Sequence, residues 1–292
     1  MSDAALLRAQ AESQAEALPA LMAEAEHLAA TVMLGVHGRR RSGMGDEFWQ
    51  HRPALPGDSA RSIDWRRSAR SDAQFVQEKE WQAAQSVLVW SDPARSMAFS
   101  SAPDLPTKAQ RARLLALAMV VLLVRGDERV AVVGADPHPR RGEAQIARIA
   151  DEFVSAADTA ELGVPDTTRL PARGRAVLLS DFFADPARIR AALGAAADRG
   201  VRGVLVQVLD PQEESFPFEG RTIFESMGRT IRHETLKAGG LRARYLERLA
   251  ERKSALGEMA RETGWQYLCH HTSGAASAAL LWMYAALEQG RR

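Results

Sequence analysis

From Ser86 onward the sequence alternates short apolar runs with longer helical ones, and this alternation restricts the fold more than any other feature. Ser86 to Ser91 is an almost wholly apolar run, Ser-Val-Leu-Val-Trp-Ser. Continuous apolar character predicts a strand covered on both faces, as in a parallel sheet. A helix is predicted from about Thr107, a suitable N-cap, to Val124. Further strands follow at Arg129–Val133, Ala176–Leu179, Gly203–Leu209 and Trp265–Cys269. Helices are expected at Glu143–Ala156, Pro186–Asp198, Arg242–Glu262 and Ala275–Glu288. Such alternation implies βαβ units: an α/β, doubly wound, mainly parallel sheet with helices on both faces.

Three segments stand outside that pattern. Residues 4–34 read as an alanine-rich helix that Pro19 breaks or kinks, and residues 1–34 are treated as an N-terminal helical segment ahead of a domain over 35–292. Residues 35–72 carry turn signals at Gly43, Gly45, Pro53 and Pro56-Gly57-Asp58 and are expected to be loop-rich, with a strand at Phe75–Trp81. Between Asp210 and Gly240 lies an insertion whose β-type segments around Met227-Gly228 predict a hairpin.

Composition removes several function classes. A net charge of +1 gives no basic footprint for nucleic acid. The single cysteine, Cys269, cannot form an internal disulfide and points to a reducing compartment. Met1 to Ala30 lacks the basic start and apolar core of a signal peptide. The apolar runs Leu114–Val124 and Ala275–Leu287 fall short of the roughly 20 residues that span a bilayer. Both are expected as buried helices of a cytoplasmic protein.

Two strands end in the same chemistry, Ser91-Asp92 and Ser180-Asp181. Ligands of open parallel sheets bind outside the carboxyl ends of the strands, where the strand order reverses. If the two strands are neighbours there, Asp92 and Asp181 share a crevice that Ser96 can join. Two carboxylates and a hydroxyl form a partial oxygen shell for Mg²⁺, although an aspartate after a strand also commonly caps a turn.

The arginines Arg39, Arg40, Arg41, Arg52, Arg61, Arg66, Arg67 and Arg70 crowd the segment before the sheet, interleaved with Asp46, Glu47, Asp58, Asp64 and Asp72. Interleaving favours an internal ion-pair network over a surface for an acidic partner. Gly38 to Gly43 is followed by Met44 rather than Lys-Ser/Thr, so no phosphate loop is present. Ile63 and Trp65 are expected to be buried, with Asp64 on the polar side. There is no Gly-x-Ser-x-Gly elbow. His270-His271, after the last strand, is the best remaining candidate for chemistry but lacks a mate at diagnostic spacing.

The ordered motifs Arg41, Gly43-Met44-Gly45, Glu47-Phe48, Arg52, Gly57-Asp58, Arg61, Asp64-Trp65 and Arg70, then Asp92-x-x-x-Ser96-Met97, and Asp210-Pro211 later, resemble the domain of unknown function 58 family. The resemblance covers roughly residues 35–240. It implies a von Willebrand factor A-like domain, of a kind commonly encoded beside MoxR-type AAA+ ATPases. It further implies a metal-ion-dependent adhesion site, with Asp92, Ser96 and Asp181 as its metal- and partner-binding residues. The match is incomplete: Ala94 replaces the first serine, and the region after Val133 offers no threonine, only Asp136 and His138. A non-catalytic adaptor or chaperone-like protein is expected, binding a MoxR-type ATPase or a client through this degenerate site. The alternative is a metal-dependent phosphoesterase using Asp92 and Asp181, and a scaffold assembled through the hairpin ranks third.

Overall fold

The expected alternation is present in the computed structural model, which describes residues 19–33, 48–54, 63–69, 74–79, 85–135, 138–156, 160–229 and 232–289. Helix α1 covers 19–33. It is followed by β1 (Phe48–Pro53), the single turn α2 (Trp65–Ser68) and β2 (Phe75–Lys79). Then come β3 (Ser86–Ser91), α3 (Lys108–Arg125), β4 (Arg129–Val132), α4 (Ala144–Ser155) and β5 (Arg175–Ser180). The chain continues through α5 (Pro186–Asp198), β6 (Arg202–Leu209), α6 (Pro211–Ser215), β7 (Thr222–Glu225) and β8 (Arg232–Thr235). It closes with α7 (Arg242–Thr263), β9 (Gln266–His271) and α8 (Ala276–Gln289). Two compact units result, one from residues 1–36 with 85–292 and one from 37–84.

In the larger unit five strands form one parallel sheet in the order β4-β3-β5-β6-β9. The chain steps from β3 outward to β4, then returns past β3 to β5 and moves on to β6 and β9. The winding direction therefore reverses between β3 and β5. Helix connections diverge at such a point and leave a crevice at the carboxyl ends of the strands.

Side chains alternate across this sheet. Val87, Val89, Val177 and Val206 join the core formed with α1, α3, α4 and α8. Leu88, Trp90, Leu178 and Leu205 join a second core with α5 and α7. Helix α3 is buried at every position from Leu114 to Val124, because it lies in the interior of the first core, alongside residues of α1, α4 and α8. A helix apolar all round is what such a position requires. Thr107 starts it with a capping box, accepting from the Gln110 amide while Gln110 accepts from the Thr107 amide. No helix among the described residues is long and apolar enough to cross a membrane.

The insertion forms the expected hairpin, with β7 and β8 antiparallel. Two expectations are corrected in the smaller unit. Phe48–Pro53 is a strand and not part of a loop, pairing antiparallel with β2 from Phe48↔Lys79 to Pro53↔Phe75. Proline ends the ladder there, where its missing N–H is tolerated. Trp65, expected to be buried, is 59% exposed. It opens the single turn α2 and is not a rung of the β1–β2 ladder. Asp64 contributes main chain: its amide donates to Phe75 O at 2.8 Å and its carbonyl accepts from Ser68 Oγ at 2.8 Å. Residues 1–18 and the signature positions Arg41, Gly43, Gly45, Glu47, Gly57, Asp58, Arg61 and Arg70 lie outside the described residues, as do the side chains of Phe48 and Arg52.

Gly203 shows how closely the sheet is built. A Cβ there would sit 1.9 Å from the carbonyl oxygen of Ala176, its register partner on β5. The obstacle is backbone and cannot rotate away. Gly203→Ala is expected to destabilise the protein by about 1–3 kcal/mol, read from the midpoint of urea unfolding.

Candidate functional site

Strands β3 and β5 are direct neighbours, so Asp92 and Asp181 do flank the point where the winding reverses. Both are buried, and both carboxylates are occupied. Asp92 Oδ1 accepts from the Ala94 amide at 2.9 Å, and its Oδ2 from the Ser180 hydroxyl at 2.5 Å. The Ser180 Oγ in turn accepts from the Phe182 amide. Asp181 Oδ1 accepts from the Phe183 amide at 3.0 Å. Its other oxygen faces a cation supplied by the chain itself.

That cation is Lys108, the first residue of α3. Its Nζ lies 2.9 Å from Asp181 Oδ2 and 2.6 Å from Glu213 Oε1, and the side chain is 1% exposed. The rings of Phe183 and Phe99 stand 5.1 and 6.0 Å away. Burial alone would drive the ammonium to lose its proton, but Asp181 and Glu213 outweigh it and hold the Lys108 pKa above its ordinary value. Glu213 is pushed up by burial, an effect that Lys108 offsets only in part. Glu213 is itself fixed by a capping box, with its Oε2 accepting from the Asp210 amide at 2.9 Å. Asp210 accepts from the amides of Gln212 and Ser101 through separate oxygens. Three strand-end loops thus converge on one buried lysine.

This donor set does not fit Mg²⁺. A divalent ion would need the Asp181 oxygen that Lys108 already holds and would lie beside a buried ammonium. Both Asp92 oxygens are engaged as well. Ser96 is close by in sequence, in the 3₁₀ turn Arg95–Ala98, and its buried Oγ has no hydrogen-bond partner among the described residues. Ala94 offers only its amide. Asp136 lies outside the described residues, and His138 is exposed. The expected Asp92–Ser96–Asp181 group is therefore brought to one end of the sheet, but Asp92 and Asp181 are held by internal partners rather than arranged around an ion.

The crevice is also covered. Arg95 and Ser96 donate their amides to Ala160 O and Glu161 O, at 3.1 and 3.0 Å. Glu161 Oε2 accepts from the Gly228 amide in the β7–β8 turn at 2.9 Å. Gly163 packs so closely that a Cβ there would lie 2.0 Å from Asp92 Oδ1. The hairpin insertion thus reaches back to the loop over the β3 carboxyl end.

At the far side of the same sheet end the two histidines part. His270 is buried, and its Nε2 has no hydrogen-bond partner among the described residues. Burial, followed by the charges of Arg111 and His271, pushes its pKa down to about 4. His271 has the mate the sequence did not reveal, Glu214 of α6, in direct contact through Nε2.

Lys108, Glu213 and Ser180 went unrecognised in the sequence. One signal was available: lysine in the first turn opposes the helix dipole, so an apolar helix that opens Thr107-Lys108 needs a nearby anion.

The fold and its occupied crevice define an open α/β protein whose central strand ends are bridged by an internal ion pair. Residues 50–255 match the family described as Protein of unknown function DUF58, and the chain belongs to that family. Two solved structures are similar to it, each covering 70% of this chain and 100% of its own: a conserved hypothetical protein BatB from Bacteroides thetaiotaomicron (TM-score 0.40, 13% identity) and an aerotolerance-related membrane protein from Bacteroides fragilis NCTC 9343 (TM-score 0.44, 15% identity). No curated protein matches the chain.

Two outcomes follow from this geometry. Lys108→Met keeps most of the length of the side chain and removes its charge, stranding the buried Asp181 and the partly buried Glu213; a loss of about 3–5 kcal/mol is expected in chemical unfolding. Adding Asp181→Asn and Glu213→Gln to that variant should recover part of the loss. His270 sets the acid limb. Its folded pKa of about 4 lies below the ordinary 6.5, so its contribution is complete above 6.5 and disappears as pH falls toward 4. Urea unfolding of the native protein should lose about 2–3 kcal/mol across that window, and His270→Gln should flatten the slope.

Proposed function

We propose that this protein is a non-catalytic adaptor of the cytoplasm, a von Willebrand factor A-like module that docks a MoxR-type AAA+ ATPase through the carboxyl end of its sheet without a bridging metal. The observation that carries this reading is the buried Lys108 ammonium between Asp181 and Glu213. In an adhesion-type site, a divalent ion recruits an acidic side chain of the partner. Here an internal cation is paired with Asp181 and Glu213, and it ties the loops together instead of presenting a charge.

The binding surface is then the cover over the crevice. The Glu161–Gly228 contact is flanked in sequence by the exposed Leu162 and Met227. Exposed apolar side chains held on fixed loops are suited to protein contact. The identity of the partner rests on the family resemblance. A phosphoesterase fits less well, because metal-assisted hydrolysis needs open coordination positions and the Asp92 and Asp181 oxygens are engaged within the chain.

The test is a binding titration against the nucleotide-free AAA+ ATPase encoded nearest this gene, with Mg²⁺ and with chelator. Equal affinity in both conditions is expected, together with a loss of at least about tenfold for Met227→Glu at unchanged melting temperature. Binding that requires Mg²⁺ would overturn the metal-free interface. Absence of binding in every condition would overturn the ATPase reading.

A further inference from the structure

Around the outer edge of the sheet, a second group of side chains is gathered that the crevice does not use. Cys269 and His271 are two residues apart on β9, so their side chains project to the same face. Glu214 of α6 reaches them from the neighbouring loop. One ligand atom from each of the three lies within 4.8 Å of the others, and all three residues are half-buried. The Glu214 carboxylate touches His271 Nε2 through one oxygen and Lys253 Nζ of α7 through the other.

We infer that Glu214, Cys269 and His271 form a binding site for a borderline-soft divalent cation of the Zn²⁺ class. The donor set is one thiolate, one imidazole and one carboxylate, which are the ligand types zinc takes, with distances of about 2.0–2.3 Å once bound. Three donors spaced as these are need only small side-chain adjustments to close on one ion. Their chemistry selects zinc over Mg²⁺ or Ca²⁺, which bind oxygen. The fourth tetrahedral position is left to water or to a donor from another molecule.

The supports of the site are rigid. α6 is held by its capping box, and Glu213, the residue before Glu214, is locked to Lys108. Beside Cys269 on β9, the Tyr267 hydroxyl donates to Gln207 Oε1 at 2.6 Å. Lys253 competes for Glu214 and marks the position as one that already attracts positive charge. Its side chain is 23% exposed, so it can turn toward solvent as the ion enters. Binding displaces the Cys269 thiol proton to solvent, and no redox change occurs.

The experiment is a Co²⁺ titration of the chelator-stripped full chain in a non-thiol reductant, followed by Zn²⁺ competition. Because Cys269 is the only cysteine, a thiolate-to-cobalt charge-transfer band reports this site and no other. The expected result is such a band saturating at one equivalent and displaced by Zn²⁺. Cys269→Ser should abolish it, and His271→Ala or Glu214→Gln should weaken binding at least about tenfold. Lys253→Met should tighten binding, a gain that a variant with a damaged fold would not show. Absence of the band in the wild-type protein would overturn the proposal, as would a band unchanged in both His271→Ala and Glu214→Gln.

Discussion

The loops after β5 and β6 are joined to the start of α3 through the ammonium of Lys108. A buried lysine is costly unless its charge is matched and its N–H groups are satisfied. Asp181 and Glu213 supply that match from the ends of β5 and β6, while Lys108 itself comes from the start of α3. The interaction does not have to add net stability to be decisive. Buried ion pairs often return little more than their desolvation cost, yet breaking one leaves an uncompensated charge. In this protein the bridge fixes how the first turn of α3 meets the loops after β5 and β6.

Helix α6 passes that constraint along the edge of the sheet. Its short length would leave it marginal alone. A capping box holds its first turn, and consecutive glutamates reach different partners from it. Glu213 points to Lys108, and Glu214 to His271 and Lys253. The central crevice and the outer donor group are thus mounted on one small element. Positioning a site on a rigid, doubly anchored segment is how a fold achieves preorganisation.

Much of the architecture was legible from periodicity. Strand β3 and helix α3 fall where the apolar runs and the Thr107 cap indicate, since a strand buried on both faces and a capped helix leave clear local patterns. Strand β1 was not legible. Phe48 to Pro53 shows no alternation of apolar and polar residues, ends in proline and, among the described residues, pairs only with β2, so its existence depends on a partner that local pattern does not encode. The exposure of Trp65 was missed for a similar reason. A large aromatic residue ordinarily indicates burial, but at the start of a one-turn helix it has no ladder to join.

The sequence by itself determined that the sheet is parallel, that helices cover both its faces, and that Asp92 and Asp181 stand at strand ends. Those facts follow from continuous apolar strands joined by helices, and from the residue at which each strand stops. The adjacency of β3 and β5 was decided only by the tertiary structure. So was the use to which the carboxylates are put, because their partners are remote in the chain. Lys108 is 73 residues from Asp181 and 105 from Glu213, and Ser180 is 88 from Asp92. Whether a strand-end aspartate holds an ion, a lysine or a serine depends on what the fold brings within 3 Å of it, and no local spacing records that.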